Sequence, residues 1–174
     1  MIINENVLIE GNRLSITKLN MDMCFDIHKN SLDEDNRRFV PDEVFETLEI
    51  AKEVVQDLID SYESEDGPYV FALIRKIDDV NLGYIQLVKI DLGWEIGYHI
   101  AKQYTGQGYA TEAVKLFLDY LKDNSDYKVI YGVALSDNMA SRRVLEKCDF
   151  KLFFEGIDFY QGEKRKIIKT IRKL

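Results

Sequence analysis

The sequence contains little cysteine and little proline, two of each among 174 residues. Cys24 and Cys148 are far apart and have no histidine or cysteine neighbours at metal-ligand spacing, which excludes a disulfide framework and a zinc site. No apolar run approaches the roughly 18 residues of a membrane span. The first ten residues lack the basic and then apolar layout of a secretory signal. We therefore expect a cytoplasmic protein that binds neither a metal nor a membrane.

The sequence also lacks internal repeats, low-complexity segments and any linker rich in proline, glycine or serine. Its length lies within the ~100–200 residues that are usual for one domain. Apolar residues make up 46% of the chain, which is enough for one buried core and excludes intrinsic disorder and collagen-like structure. We expect a single domain over residues 1–174.

Basic residues are scarce in the first third of the chain. Residues 1–66 hold 6 Lys or Arg against 17 Asp or Glu, whereas residues 67–174 hold 17 against 14. This acidic balance disfavours nucleic acid or an anionic membrane as a partner, and it would attract a cation. A solvated acidic helix surface that aids solubility explains the same excess.

Hydrophobic periodicity predicts an α+β protein with a mixed sheet. Short turns between three central strands are typical of an antiparallel meander. The predicted strands are 7–18 (as a strand or hairpin), 69–75, 82–90, 94–100, 128–135, 150–160 and 164–171. Four helices are predicted, the first over 20–30 and the last over 138–147. The second begins at an Asp42 N-cap, carries an apolar stripe from Val44 to Tyr62 and ends in the polar stretch 61–68. The third follows a glycine-containing turn at 103–109.

That turn, Gln103-Tyr104-Thr105-Gly106-Gln107-Gly108-Tyr109-Ala110, lies between a predicted strand and a long predicted helix. Its glycines let the backbone N–H groups turn toward one point, and the helix start supplies about half a positive charge. The turn is either an anion nest suited to a pyrophosphate or an ordinary glycine-containing loop. A P-loop is excluded because no Lys and Ser or Thr follow Gly108, and the preceding meander excludes a dinucleotide fold.

Two blocks of the sequence resemble the GNAT superfamily of N-acetyltransferases. The first is the glycine turn, preceded by Trp94-Glu95-Ile96-Gly97-Tyr98-His99-Ile100 and followed by Thr111-Glu112-Ala113, which is similar to the acetyl-CoA-binding signature. The second, Asn138-x-x-Ser141-x-Arg143-Val144-Leu145-Glu146-Lys147-Cys148-Asp149-Phe150, resembles the RimJ/RimL branch. The resemblance is close over residues 69–160. It implies a mostly antiparallel, twisted sheet of about six or seven strands flanked by helices, with a pyrophosphate-binding strand, loop and helix.

Two positions depart from the family pattern. Asp149 stands where glycine is usual, and a left-handed turn would accommodate it because Asp accepts that conformation better than most residues. Leu145 stands where other branches carry a tyrosine that protonates the leaving thiolate. The usual acid is therefore missing.

The resemblance implies direct transfer of an acetyl group from acetyl-CoA to a primary amine in a ternary complex. The resemblance also implies that Asn138 and Arg143 contact the coenzyme, but a basic helix edge explains Arg143 equally well and an N-cap role explains Asn138. The residues expected to bind the coenzyme are Tyr98, His99 and Ile100 on the strand, Gln103, Gly106, Gln107, Gly108, Tyr109 and Ala110 in the turn, and Asn138 and Arg143.

Glu95 and Ser141 are the candidate catalytic residues. Strand alternation puts Glu95 on the face opposite Trp94 and Ile96, where burial would raise its pKa and let it accept a proton from the substrate ammonium. A structural carboxylate or an electrostatic ligand for the substrate is the alternative. By family geometry Ser141 lies near the sulfur and would relay a proton in place of the missing tyrosine, unless it serves a helix-capping role.

The expected partners are acetyl-CoA and an amine acceptor, either a small cationic amine or a peptide N-terminus. A homodimer is expected from the same resemblance. The alternative function is an acetyl-CoA-binding sensor or interaction module with little catalytic activity. The acidic first third suggests a positively charged acceptor.

Overall fold

A computed structural model describes residues 7–174, which build one eight-stranded sheet in the order β1-β2-β3-β4-β5-β6-β8-β7. The predicted class, α+β with a mostly antiparallel sheet, is confirmed. The sheet has one strand more than the six or seven expected, because the opening segment 7–18 forms two strands. The strands are β1 Val7–Glu10, β2 Leu14–Lys18, β3 Tyr69–Arg75, β4 Val80–Ile90, β5 Gly93–Ile100, β6 Val129–Leu135, β7 Lys151–Tyr160 and β8 Glu163–Lys173, and the helices are α1 Cys24–Ser31, α2 Glu34–Phe39, α3 Leu48–Asp60, α4 Tyr109–Asn124 and α5 Met139–Lys147.

Alternation along the central strands creates a core on each face of the sheet. In β3, Phe71 and Leu73 join the larger core, into which α4 packs Phe117, whereas Val70 and Ala72 face the smaller core under α1 and α3. Burying these side chains supplies roughly 25 cal/mol per Å² of apolar surface. Within residues 7–174, none of the helices has the length and apolarity needed to cross a membrane.

The strands β5 and β6 lie side by side but are joined only weakly. In the described chain their parallel register rests on a single pair, Glu95 with Tyr131. All other neighbouring strands pair antiparallel over longer stretches. Toward the carboxyl ends of β5 and β6 the backbone edges are therefore not paired with each other, and a gap opens in the middle of the sheet.

The segment before α3 differs from the prediction. The expected N-cap at Asp42 is wrong, because Asp42 lies in a short 3₁₀ turn, Pro41–Glu43. Thr47 caps α3 instead, and its hydroxyl accepts a hydrogen bond from the amide of Ile50 at 3.2 Å. The helix therefore begins at Leu48. Residues 41–46 are therefore a 3₁₀ turn followed by irregular chain, and Glu43 in this segment reaches Gln86 of the sheet.

The helix α2 was not predicted, because five of its six residues are polar or charged and give no apolar stripe. Asp33 caps it by accepting a hydrogen bond from the amide of Asn36 at 2.8 Å. The left-handed conformation expected at Asp149 is confirmed, with φ of 62°.

Candidate functional site

The predicted glycine turn forms the start of α4. Gly106 and Gly108 have φ of +77° and +82°, in the left-handed region that favours glycine. Gly108 occupies the N-cap position, and no side chain of the described residues caps the helix. A Cβ built on Gly106 would have no described atom within 4 Å, so a ligand has open access to this backbone. Free amides at a positive helix end match the predicted anion nest.

A cleft of about 340 Å³, here called the coenzyme cleft, extends from the glycine turn along β5 and α5. Its walls bring together the following predicted site residues: Tyr98, His99, Ile100, Gly106, Gly108, Tyr109, Ala110, Asn138, Ser141 and Arg143. The side chains of Gln103 and Gln107 are exposed and do not line it. The carbonyl of Gln107 instead accepts a hydrogen bond from Arg13 Nη1 at 3.0 Å.

Arg13, at the β1–β2 turn, holds the glycine turn in place. Its Nε donates to Glu112 Oε2 at 2.7 Å, and its own amide donates to Glu112 Oε1 at 3.0 Å. Its guanidinium also lies 4.5 Å from the ring centre of Tyr109. The sequence did not reveal this role, because the partners are 99 residues apart.

The hydrogen-bond alternation of β5 decides which backbone groups face the gap. The amide of Ala101 donates to the carbonyl of Leu82 at 2.8 Å. Because bonding directions alternate along an antiparallel pair, His99 turns its backbone toward β4, whereas Tyr98 and Ile100 turn theirs toward the gap. An extended ligand in the gap can therefore pair with Tyr98 and Ile100. His99 also lines the cleft, although its backbone faces β4.

Two hydroxyl groups meet at the inner end of the coenzyme cleft. Tyr98 Oη lies 3.0 Å from Ser141 Oγ and donates to the Ser141 carbonyl at 3.1 Å. Burial raises the pKa of Tyr98, so the phenol keeps its proton. Asn138 caps α5, because its Oδ1 accepts from the Ser141 amide at 3.0 Å. Leu145 lines a small adjoining space together with Tyr98 and Ser141. The two hydroxyl groups therefore lie near the position at which other branches carry a tyrosine.

The two arginines of α5 have different surroundings. Arg142 Nη1 donates to the Ser136 carbonyl at 3.1 Å and to Glu155 Oε1 at 3.0 Å. These bonds tie α5 to the closing hairpin. Arg143 is exposed and lines the coenzyme cleft. Of the two, Arg143 is therefore the one that a bound anion could contact.

Beyond the hydroxyl pair the cleft continues into a small space of about 90 Å³, here called the reaction junction. Glu95 lines it, on the face opposite the buried Ile96 as predicted. Burial raises the pKa of Glu95 to about 7, while the positive charge of Lys169 acts in the opposite direction. Near neutral pH this carboxyl group can therefore both take up and release a proton.

A second carboxylate at the reaction junction, Glu43, was missed by the sequence analysis. Burial raises its pKa to about 7, against a hydrogen bond from Gln86 Nε2 to its Oε1 at 3.1 Å. A Cβ on Gly97 would come within 2.7 Å of Gln86 Nε2, so glycine at 97 makes room for this amide. Glu43 ends the 3₁₀ turn Pro41–Glu43, in the segment that the sequence predicts as a helix start. Only its long-range packing reveals it.

The reaction junction has a negative electrostatic environment. Tyr160 lines it, and burial raises the pKa of this phenol, with further upward contributions from the charges of Glu95, Glu43 and Asp42 and an opposing one from the positive charge of Arg165. These acidic groups therefore lie close enough to Tyr160 to act on it together, and they favour a cation there. Residues 7–174 hold no group of three His, Cys, Asp or Glu that could bind a metal ion.

His99 stands between the coenzyme cleft and a second cavity, and Asp33 steadies it. Its Nε2 lies 3.3 Å from Asp33 Oδ2, in a geometry short of a hydrogen bond. Burial acts to raise the pKa of Asp33, but contact with His99 and hydrogen bonds from the amides of Asn36 and Lys102 lower it below its usual range. Asp33 is therefore ionised at neutral pH. The sequence analysis missed it together with α2.

Comparison with known proteins adds to this geometry. The chain matches the family model of the acetyltransferase (GNAT) domain over residues 13–151. It is 34% identical over 90 residues to Probable N-acetyltransferase YjcK of Bacillus subtilis (strain 168), and the match covers 49% of this chain and 50% of that protein. The chain thus matches half the length of this relative.

Solved structures share the fold. An acetyltransferase (GNAT family) from Bacillus anthracis superposes with a TM-score of 0.82 and 23% identity, covering 95% of this chain and 97% of that chain. RimL, a ribosomal L7/L12 alpha-N-protein acetyltransferase in complex with coenzyme A, gives a TM-score of 0.82 and 15% identity, covering 97% of this chain and 98% of that chain.

Proposed function

Because this chain belongs to the GNAT acetyltransferase family, we propose that it transfers the acetyl group of acetyl-CoA to a primary amine by direct attack in a ternary complex. One observation carries the proposal. The coenzyme cleft, which starts at a helix N-terminus, runs into a junction that holds a buried carboxylate with a pKa of about 7. An anion-binding end and a proton-accepting end thus form one continuous site.

Binding of the coenzyme follows from the walls of the cleft. The amides from Gly106 to Ala110 receive the pyrophosphate at the start of α4, and Arg143 adds a positive charge at the rim. The pantetheine arm lies in the gap between β5 and β6, where Tyr98 and Ile100 offer backbone groups. This places the thioester beside the hydroxyl pair and Glu95.

The reaction then needs three groups from the protein: a base for the ammonium, a donor to the oxyanion and a proton source for the thiolate. Glu95 accepts a proton from the substrate ammonium, and the neutral nitrogen attacks the thioester carbonyl carbon. A backbone N–H of Tyr98 or Ile100 donates to the oxyanion that develops on the carbonyl oxygen. When the carbon–sulfur bond breaks, the Ser141 and Tyr98 hydroxyl pair passes a proton to the thiolate and takes up in its place the second proton that the attacking nitrogen loses on becoming an amide. Glu95 returns its proton to solvent. Thiol and acetylated amine leave as products.

The role of the hydroxyl pair predicts the behaviour of two variants. Tyr98→Phe and Ser141→Ala should each slow the chemical step by about 10-fold or more, since proton delivery to the thiolate contributes to the rate of breakdown. The effect should be smallest at high pH, where the thiolate leaves unprotonated. Single-turnover measurements with preformed enzyme and acetyl-CoA check this. Wild-type chemical rates in both variants would exclude the pair and leave Ser141 with its helix-capping contacts alone.

An acetyl-CoA-binding sensor with little activity remains the second candidate, and the absence of a tyrosine at position 145 favours it. Both candidates require binding, and acetyl-CoA at a hundredfold excess over its Kd should stabilise the fold by about 2.7 kcal/mol. Release of free thiol in the presence of amines separates them. Stabilisation without thiol release, over a broad panel of amines, would favour the sensor, and no stabilisation would exclude both.

The nature of the acceptor is part of the proposal. The acidic groups around Tyr160 support a cationic amine, whether it belongs to a small molecule or to a peptide N-terminus. Homodimer formation, a cytoplasmic location and the absence of nucleic-acid or membrane partners stay predictions from the sequence.

A further inference from the structure

The side chain of Arg13 contacts the glycine turn from outside the coenzyme cleft. Its Nη1 donates to the Gln107 carbonyl at 3.0 Å, and its Nε donates to Glu112 Oε2 at 2.7 Å. Gly106 and Gly108 line the coenzyme cleft, whereas Arg13 does not. The guanidinium group therefore lies on a side of the turn other than the one that a coenzyme would approach.

The bond to the Gln107 carbonyl fixes the orientation of one peptide group. The peptide between Gln107 and Gly108 is trans, and in a trans peptide the C=O and the N–H point in opposite directions. The amide of Gly108 therefore points away from Arg13. If this peptide were turned over, its carbonyl oxygen would take the place of the amide and would present a negative partial charge to an anion.

The sequence of the turn permits both orientations of this peptide. Gly108 has φ of +82°. Turning the preceding peptide over reverses the sign of that angle, and glycine adopts positive and negative φ about equally readily. The residue that allows an anion nest to form therefore does not by itself select the nest. A bond from outside the turn has to make that selection, and Arg13 supplies one.

Glu112 gives Arg13 a second effect on the same site. This carboxylate lies in the first turn of α4, and its side chain is only 18% exposed. Without a partner, its charge would repel an anion held at the start of the helix. Its Oε2 accepts from Arg13 Nε, and its Oε1 accepts from the amide of Arg13 at 3.0 Å. The ion pair thus counters the negative charge of Glu112.

The position of Arg13 is itself fixed by packing. Its carbonyl accepts a hydrogen bond from the amide of Lys76 at 3.0 Å. A Cβ on Gly11 would lie 2.4 Å from Leu116 Cδ1, so the β1–β2 turn packs directly against α4. The guanidinium lies 4.5 Å from the ring centre of Tyr109, within the range of a cation–π contact. Both ends of the side chain are therefore held relative to the glycine turn.

We propose that Arg13 is a positioning residue for the coenzyme. It holds the peptide between Gln107 and Gly108 with the Gly108 amide toward the coenzyme cleft, and it neutralises Glu112 beside the bound pyrophosphate. Because Arg13 acts through the turn, its effect is confined to ligands that carry the pyrophosphate. This inference rests on the proposed binding of acetyl-CoA.

Arg13→Met tests the proposal, because it keeps an apolar stem against Tyr109 and removes every donor. The variant should weaken acetyl-CoA binding by about tenfold or more, since hydrogen bonds from charged groups are worth that much. Both kcat at saturating acetyl-CoA and kcat/KM for S-acetylpantetheine, which lacks the pyrophosphate, should stay at wild-type values. Calorimetric titration with acetyl-CoA and thiol-release rates measure these quantities.

Two further variants frame this result. Lys76→Ala is the matched control, because its side chain is 44% exposed like that of Arg13 and bonds to Glu10 and the Gly11 carbonyl rather than to the glycine turn. It should keep wild-type affinity for acetyl-CoA. Arg13→Lys keeps the charge without the forked donors, so it should recover only part of the lost affinity.

The double variant Arg13→Met/Glu112→Gln separates orientation from charge. It removes the carboxylate that Arg13 neutralises and leaves the Gln107 carbonyl without its donor. Affinity for acetyl-CoA should recover in part and stay below that of the wild type. Full recovery would overturn the proposal, because the orientation of the peptide would then not depend on Arg13.

Other results would overturn the proposal as well. One is unchanged acetyl-CoA affinity in folded Arg13→Met, and another is an equal loss of kcat/KM with S-acetylpantetheine, which would indicate general damage to the fold. If Arg13→Met does not fold, unchanged affinity in Arg13→Lys has the same meaning. A wild type that binds acetyl-CoA and acetylates no amine would refute the transfer reaction alone, and the titrations would still decide about Arg13. A wild type that does not bind acetyl-CoA would refute both.

Discussion

Replacing Glu95 by Gln should lower kcat by about 10²–10⁴-fold, the range that a positioned general base contributes. Because burial raises the pKa of Glu95 to about 7, the wild-type rate should rise with pH through an inflection near 7 and level off above it. The amide cannot titrate, so this inflection should be absent in the variant. Acetyl-CoA affinity should stay within a factor of a few of the wild type. Steady-state rates at saturating amine between pH 5.5 and 9, together with calorimetric titration of the coenzyme, give both quantities.

Glu43→Gln is the matched control for this prediction. Burial raises the pKa of Glu43 to about 7 as well, so pH dependence alone cannot tell the two carboxylates apart. If Glu95 is the base, Glu43→Gln should raise KM for the amine and preserve the inflection in kcat. An inflection that disappears with Glu43 and survives in Glu95→Gln would move the base to Glu43. Unchanged kcat in both variants would mean that neither carboxylate is the base and that the amine loses its proton to solvent.

The second large effect concerns the glycine turn. Replacing Gly106 and Gly108 together by alanine should weaken acetyl-CoA binding by about 100-fold. In the free protein each alanine relaxes away from positive φ, and binding must restore that conformation at a cost of roughly 1–2 kcal/mol per residue. Tenfold in affinity corresponds to about 1.4 kcal/mol. The added methyl groups also keep the pyrophosphate from its closest approach to the amides. Calorimetric titration with acetyl-CoA measures the change, and KM for acetyl-CoA should rise in parallel.

Gly162→Ala separates backbone strain from ligand contact. Gly162 has φ of +76° in the turn between β7 and β8, and a Cβ there would have no described atom within 4 Å, as at Gly106. This variant should lose stability and keep its acetyl-CoA affinity. Equal losses of affinity in both variants would mean that strain alone is responsible, and the anion nest at residues 106–110 would be wrong.

Local patterns carried most of what the sequence revealed. The strand β3 has the bounds that were predicted for it, because an apolar run ends at clear turn residues on both sides. The glycine turn and the α5 block could be located for the same reason, since a nest and a helix cap each lie within one short segment. Helix α2, with its polar sequence, offered no such pattern.

The parts that were missed depend on contacts between distant segments. Glu43 receives its hydrogen bond from Gln86, which belongs to another element and lies over Gly97. Asp33 and His99, which contact each other, are likewise far apart in the sequence. For the α3 cap, Asp42 and Thr47 are both suitable residue types, and the path of the chain between them decides. Such choices follow from packing, which periodicity does not report.

The single backbone pair between β5 and β6 determines how rigidly the two parts of the sheet are joined. Strands β1–β5 form one block and β6–β8 another, and within the described chain only Glu95 and Tyr131 bridge their backbones. A pantetheine arm bonded to Tyr98 and Ile100 would act as a wedge that also ties the blocks together. The sheet would then be stiffest while the coenzyme is bound and would loosen when the coenzyme departs. The rigidity of the sheet would therefore rise and fall once with each binding and release of the coenzyme.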